Sequence, residues 1–229
     1  MENPEDLKHY LVTGGTGGIG AAVCRALAAQ GLAPIVGYRE ANEEQANLLA
    51  QECGGRVLKL DLNRSDSIDL AIAQISSLEA PFPGLVHCAS PPPRPCPFGR
   101  ITEGDMELFW RVNVLGPQRL LSGLVKQRLR KARQGVVVAV TSAAMRNETG
   151  KAMAGMGAYT ISKFGLCGVL ALLEAEYPWL RVFRISPGFT RTRMLEAFDE
   201  RFIENVSAQN PLTEPEAVAR EIVHCLGGD

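Results

Sequence analysis

The run Thr13-Gly14-Gly15-Thr16-Gly17-Gly18-Ile19-Gly20 limits the fold more than any other part of this 229-residue chain. It follows a short apolar segment, residues 9–13, and opens a segment with helical spacing that lasts to about residue 30, where Gly31 is placed to cap it. Glycines let the backbone come close to a phosphate, and the start of a helix offers unpaired N–H groups with a partial positive charge. A glycine-rich string alone is a weak signal. A strand before it and a helix after it supply the context that makes it a diphosphate-binding turn. Gly14, Thr16, Gly17, Gly18 and Ile19 are the expected contacts.

The rest of the chain repeats the alternation. Strands are expected at 34–38, 56–60, 85–89, 135–142 and 180–186, and helices at 41–52, 65–78, 103–132 and 158–176, with two helical pieces at the end. The Val/Ala run within 135–142 suits a strand buried on both faces. Helices of this length between strands imply right-handed crossovers and a parallel sheet. The expected fold is α/β, a single Rossmann-type doubly wound sheet of about six strands within one domain, 1–229. Ligands on such sheets bind at the carboxyl ends of the strands.

Composition narrows the function. Hydrophobic residues make up 46% of the chain, enough to fill a core of this size, and a net charge of -1 gives no field to hold nucleic acid or an anionic membrane. The six cysteines form no C-x-x-C pair and no cluster with His9, His87 and His224, so no metal site is expected. The polar N-terminus does not read as a signal peptide, and no apolar run reads as a membrane span. A cytoplasmic enzyme is the expectation.

Three ordered motifs carry a resemblance. Thr13, Gly14, Gly18 and Gly20 form T-G-x-x-x-G-x-G, Tyr159 to Lys163 form Y-x-x-x-K, and Pro187-Gly188-Phe189-Thr190-Arg191-Thr192 follows the last strand. Together they resemble the short-chain dehydrogenase/reductase family, nearest in look to bacterial 3-oxoacyl-acyl-carrier-protein reductases and related ketoreductases. The resemblance implies a catalytic tetrad of Asn113, Ser142, Tyr159 and Lys163. It implies cofactor contacts at Asp61 and Leu62 near the adenine, at Ala89 and Ser90 after the fourth strand, and at Ile185, Pro187, Gly188, Thr190 and Thr192 near the nicotinamide. Tyr159 and Lys163 belong to both sets. Ser142 lies 17 residues before Tyr159, a longer separation than is usual in the family, and Thr141 and Thr149 are nearby hydroxyls.

The chemistry explains those residue types. Reducing a carbonyl requires hydride at carbon and a proton at oxygen. The cofactor gives the first, and the protein supplies the second and stabilises the alkoxide. Tyr159 is the expected acid. Lys163, four residues on, shares its helix face, and its charge is expected to lower the phenol pKa. Ser142 is expected to donate to the carbonyl oxygen, and Asn113 to hold a water that passes protons to Lys163.

Tyr38 and Arg39 end the second strand, where an acid would select NAD. Arg39 offers a bidentate partner for a 2′-phosphate, so NADP(H) is the expected cofactor, with Glu40 arguing the other way.

Two departures from the family pattern stand out. His87-Cys88-Ala89-Ser90 replaces the usual N-N-A-G, with His87 expected to bond to neighbouring backbone. The chain ends at Leu226-Gly227-Gly228-Asp229 without the usual seventh strand, which points to a homodimer joined through the helices bearing Asn113 and Tyr159.

Three segments, 91–102, 143–157 and 189–209, are expected to rim the substrate site. Their Met145, Met153, Met156, Phe189, Met194 and Phe198 suit an apolar pocket, although ordinary packing explains them equally well. The basic cluster Lys126, Arg128, Arg130, Lys131 and Arg133 reads as a solvated helix end or as a docking patch for an acyl carrier protein, with Arg191 and Arg193 adding to it. The leading expectation is an NADPH-dependent ketoreductase of 3-oxoacyl thioesters in fatty-acid or polyketide synthesis. The alternatives are an NAD(P)-dependent dehydrogenase or reductase for a small alcohol, sugar or pteridine, and a catalytically quiet cofactor-binding sensor or scaffold.

Overall fold

A computed structural model describes residues 7–146, 150–209 and 211–227. Six strands form one parallel sheet: β1 (His9–Thr13), β2 (Ala33–Tyr38), β3 (Arg56–Lys59), β4 (Gly84–His87), β5 (Gly135–Val140) and β6 (Leu180–Ile185). Their spatial order is β3-β2-β1-β4-β5-β6, with every pairing parallel. The order reverses between β1 and β4, so the crevice above the carboxyl ends of those two strands is the switch point where ligands bind. No seventh strand is present among the described residues.

The helices are α1 (Gly18–Ala29), α2 (Glu43–Cys53), α3 (Ser65–Ser76), α4 (Glu103–Trp110), α5 (Gly116–Leu124), α6 (Arg130–Ala132), α7 (Gly157–Glu176), α8 (Glu200–Gln209) and α9 (Pro215–Gly227). Two apolar layers hold them on the sheet. Leu85, Leu120, Leu124, Leu166 and Leu170 fill one face, and Val23, Leu27, Val138, Ile222 and Val223 fill the other. Strands buried on both faces explain the continuous Val run of β5.

Helix ends follow the sequence signals. Gly31 and Gly54 stand at φ +71° and +60° just past α1 and α2, in the left-handed region that glycine enters without steric cost. Thr102 caps α4, its hydroxyl accepting the Asp105 amide at 3.1 Å.

The segment expected as one long helix, 103–132, is helical throughout but carries two π-turns, Arg111–Leu115 and Val125–Leu129. The first holds Asn113. Gly165 lets α7 approach this turn closely, since a Cβ there would lie 2.7 Å from Val114 Cγ2. The strands expected to run to Ala89 and Ser142 stop at His87 and Val140, which leaves Ala89, Ser90 and Ser142 in loops above the sheet. By length and composition α7 is apolar enough to cross a bilayer, with mean hydropathy 1.3 over 18 of its 20 residues. Here that apolarity packs Leu166 and Leu170 against the sheet.

Candidate active site

The loop after β1 folds back under its own glycines. Gly14 takes φ +64°, and a Cβ there would sit 2.8 Å from the Ala89 backbone. A side chain at Gly20 would strike the Gly14 carbonyl, and one at Gly18 would strike Thr192. The loops after β1, β4 and β6 thus meet at one place. Gly17 precedes α1 without a side-chain cap, and the first turn holds no acid, so the helix start keeps its positive end open to an anion.

At the end of β2 the Tyr38 side chain is buried, its hydroxyl donating to Glu43 at 3.3 Å. Arg39 is exposed beside it. Lys59 pairs with Glu40 at 3.1 Å. Lys59 lies opposite Tyr38 in the β2–β3 register, so it brings a second cation to the same edge, a feature visible only after pairing. Asp61 accepts the Asn63 amide at 2.9 Å, closing the turn after β3. The Leu62 side chain belongs to the core, so only its backbone is available to a ligand.

α7 carries Tyr159 and Lys163 one turn apart, both buried. Lys163 Nζ donates to the Val140 carbonyl at 2.9 Å, tying α7 to the end of β5. Burial lowers its pKa from 10.5 to about 8, with Cys88 and Cys167 opposing the shift. The Tyr159 phenol lies above its ordinary pKa because of burial, and a hydrogen bond with Ser142 pulls the other way. The lowering expected from Lys163 is not seen in this state: the amine faces the Val140 carbonyl, with Nζ 5.7 Å from the Tyr159 ring centre.

Ser142 is the hydroxyl that reaches Tyr159, and it also accepts the Ala144 amide at 3.1 Å. Thr141 is committed elsewhere. Its hydroxyl donates to the Ile185 carbonyl at 3.0 Å and lies 2.6 Å from Ser186 Oγ. Thr149 lies outside the described residues. Asn113 is fully buried, and its side-chain amide donates to Ser162 Oγ at 2.9 Å. Ser162 then donates to the Tyr159 carbonyl at 2.8 Å. Sequence reasoning missed Ser162; its place inside Y-x-x-x-K was the available signal.

His87 does not bond to backbone as expected. Its Nδ1 pairs with Thr13 Oγ1 at 2.9 Å, and that oxygen also accepts the Ala89 amide at 3.3 Å. The strand ends at His87, which turns the ring inward toward Thr13 on the neighbouring strand. Burial, and then Lys163, lower the His87 pKa to about 3, so the ring is neutral.

Tyr159 itself belongs to an apolar cluster with Phe109, Ala144, Met156 and Ala158, and Met153 and Phe198 pack on it. Phe109 meets the Tyr159 ring edge-on at 6.1 Å. The Ile185 side chain is buried in the core layer with Val138 and Ile222, and Thr190 Oγ1 donates to the Gly188 carbonyl at 3.2 Å.

A family model described as short chain dehydrogenase matches residues 8–201. The chain belongs to the short-chain dehydrogenase family. It is similar to an acetoacetyl-CoA reductase of Rhizobium meliloti (strain 1021), 31% identical over 96% of this chain and 90% of that one. An acetoacetyl-CoA reductase of Paracoccus denitrificans is 28% identical over 97% and 91%. Among solved structures, a putative betaketoacyl-ACP reductase superposes with a TM-score of 0.80 at 27% identity, covering 97% of this chain and 91% of its own. Short-chain dehydrogenases are nicotinamide-dependent oxidoreductases, and the open start of α1 beneath a glycine loop fits the diphosphate of such a cofactor.

Proposed function

We propose that this short-chain dehydrogenase is an NADPH-dependent ketoreductase that reduces the 3-oxo group of an acyl thioester to a secondary alcohol. The observation that carries the reading is a buried phenol, Tyr159, hydrogen-bonded to Ser142 and packed within an apolar cluster. The similarity to acetoacetyl-CoA reductases supports the substrate class.

When bound, the cofactor supplies the hydride. Ser142 donates to the carbonyl oxygen and orients it. Tyr159 gives that oxygen its proton, and its raised pKa keeps it protonated and ready for reduction near neutrality. Lys163, fixed through the Val140 carbonyl, holds the ribose side of the site, and the phenolate left behind takes its proton back from solvent. Asn113 relays protons from solvent through water toward Lys163. The glycine turn, Asp61, Ala89, Ser90 and residues 185–192 bind the dinucleotide. Arg39, joined by Lys59, receives the 2′-phosphate.

Segments 91–102, 143–157 and 189–209 rim the substrate, whose acyl part meets Met153, Met156 and Phe198. Carrier-protein docking falls to Arg191 and Arg193, beside Thr192. Arg130 and Arg133 precede β5 at its amino end, and six residues of strand, about 20 Å, separate that end from the site. The protein works as a cytoplasmic homodimer. The test is loss of NADPH absorbance with an acetoacetyl thioester; turnover supports the reading, and its absence removes it.

A further inference from the structure

Residues 191–209 and 211–213 belong to a flap with a closed base. The Arg191 amide donates to the Thr213 carbonyl at 2.9 Å, and the Thr213 amide donates to the Phe189 carbonyl at 2.9 Å. Arg191 Nε adds an ion pair to Glu214 at 2.8 Å. Two phenylalanines of the flap pack together with a third, Phe189, at its base. Phe198 stacks on Phe202 at 5.1 Å with ring planes 14° apart, and Phe189 meets them edge-on at 5.5 and 5.6 Å. Of the three, Phe198 also packs on the cluster formed by Phe109, Ala144, Met156, Ala158 and Tyr159.

We infer that Phe198 is the specificity-determining residue for the length of the substrate's acyl tail. This rests on the ketoreductase reading. The tail of a 3-oxoacyl thioester extends from the reacting carbonyl away from the thioester. With the carbonyl at Tyr159 and Ser142, the tail runs along the apolar cluster to which Tyr159 belongs and on which Phe198 packs. The ring is itself held from behind by Phe202 and Phe189, so it does not yield as a lone methionine would. A tail of one methyl group asks little of a held ring. Longer tails must displace it and break its stacking. The chain is therefore a short-chain reductase whose limit is set by one aromatic side chain on a clipped flap.

The experiment compares kcat/KM for acetoacetyl and 3-oxooctanoyl thioesters of the same thiol. Wild type, Phe198→Ala, Phe198→Leu and Phe198→Trp are measured with NADPH. Single methylenes in apolar pockets change kcat/KM by factors of about 10 or more. The expected result is a rise of roughly tenfold or greater in the octanoyl-to-acetoacetyl ratio for Phe198→Ala. Phe198→Leu should show a smaller rise and Phe198→Trp a fall. A purely structural role would lower both substrates together and leave the ratio fixed in every variant, which overturns the inference while the ketoreductase reading stands. If Phe198→Ala does not fold, Phe198→Leu and Phe198→Trp decide by the opposite directions of their shifts. No reduction of either thioester by wild type overturns both the reading and the inference.

Discussion

The side-chain amide of Asn113 donates to the hydroxyl of Ser162 at 2.9 Å, and this bond fixes which way the buried amide points. Ser162 spends its own proton on the Tyr159 carbonyl at 2.8 Å. Asn113 Oδ1 is therefore turned away from Ser162, and it has no hydrogen-bond partner among the described residues. An unpaired buried acceptor is costly unless water meets it, so the geometry suits an ordered water at Oδ1.

Ser162→Ala removes the anchor. The amide then loses its hydrogen bond to Ser162, and stability should fall by about 1–3 kcal/mol. kcat should fall about tenfold with KM for the thioester nearly unchanged, because the water relay rather than substrate contact is disturbed. Urea unfolding and steady-state kinetics check both effects.

His87 gives a pH signature. Its pKa is lowered from 6.5 to about 3 by burial, so the unfolded chain takes up a proton below pH 6.5 that the native ring refuses. The stabilisation is present above pH 6.5 and is lost as pH falls toward 3, at roughly 1.4 kcal/mol per unit. His87→Asn should flatten the stability curve over that window relative to wild type. Denaturant midpoints at pH 7.0, 6.0 and 5.0 measure it; parallel curves for the two proteins would show that the ring is not the cause.

Much of this was legible in the sequence, for reasons that can be traced to particular residues. β1, the glycine turn and α1 were readable because strand, glycines and helix each obey a local rule. Y-x-x-x-K was readable because helical spacing alone puts Tyr159 and Lys163 on one face. The π-turn at Asn113 was not, since one extra residue per turn barely alters apolar periodicity over 30 residues. Lys59 became a candidate only once β3 paired with β2 and set it opposite Tyr38. The effect of Lys163 on Tyr159 was misjudged because spacing gives the shared face but not where the amine points, and it points to Val140. The charge of residues 126–133 is visible in sequence, whereas the end of the sheet on which they fall is not. The apolarity of α7 is that of a helix packed against a sheet, and its composition alone does not separate that from a membrane span.

Cofactor choice follows from the edge after β2. Arg39→Asp places a carboxylate where the 2′-phosphate is proposed to bind. NADPH affinity should fall by about 100-fold and NADH affinity should rise, as repulsion replaces a charge-assisted bond. Fluorescence titration of each cofactor reads the two dissociation constants without turnover. An unchanged ratio would remove Arg39 from the site.

Assembly follows from exposed apolar side chains. Trp110, Leu115 and Phe164 are 39%, 51% and 52% exposed, on α4, its π-turn and α7, the helices that bear Asn113 and Tyr159. A face of this kind is expected to be covered by a second copy. Light scattering should give a dimer for wild type and a monomer for the Leu115→Asp, Phe164→Asp double variant. A wild-type monomer or tetramer would contradict the homodimer.

The central claim is that Tyr159 is the acid of a carbonyl reduction. The most direct measurement follows NADPH absorbance with an acetoacetyl thioester in wild type and Tyr159→Phe side by side, with NADPH binding measured by fluorescence in both. The account predicts turnover in wild type, a fall in kcat of roughly a thousandfold in Tyr159→Phe, and near-equal NADPH affinity. Equal turnover in the two proteins would contradict it.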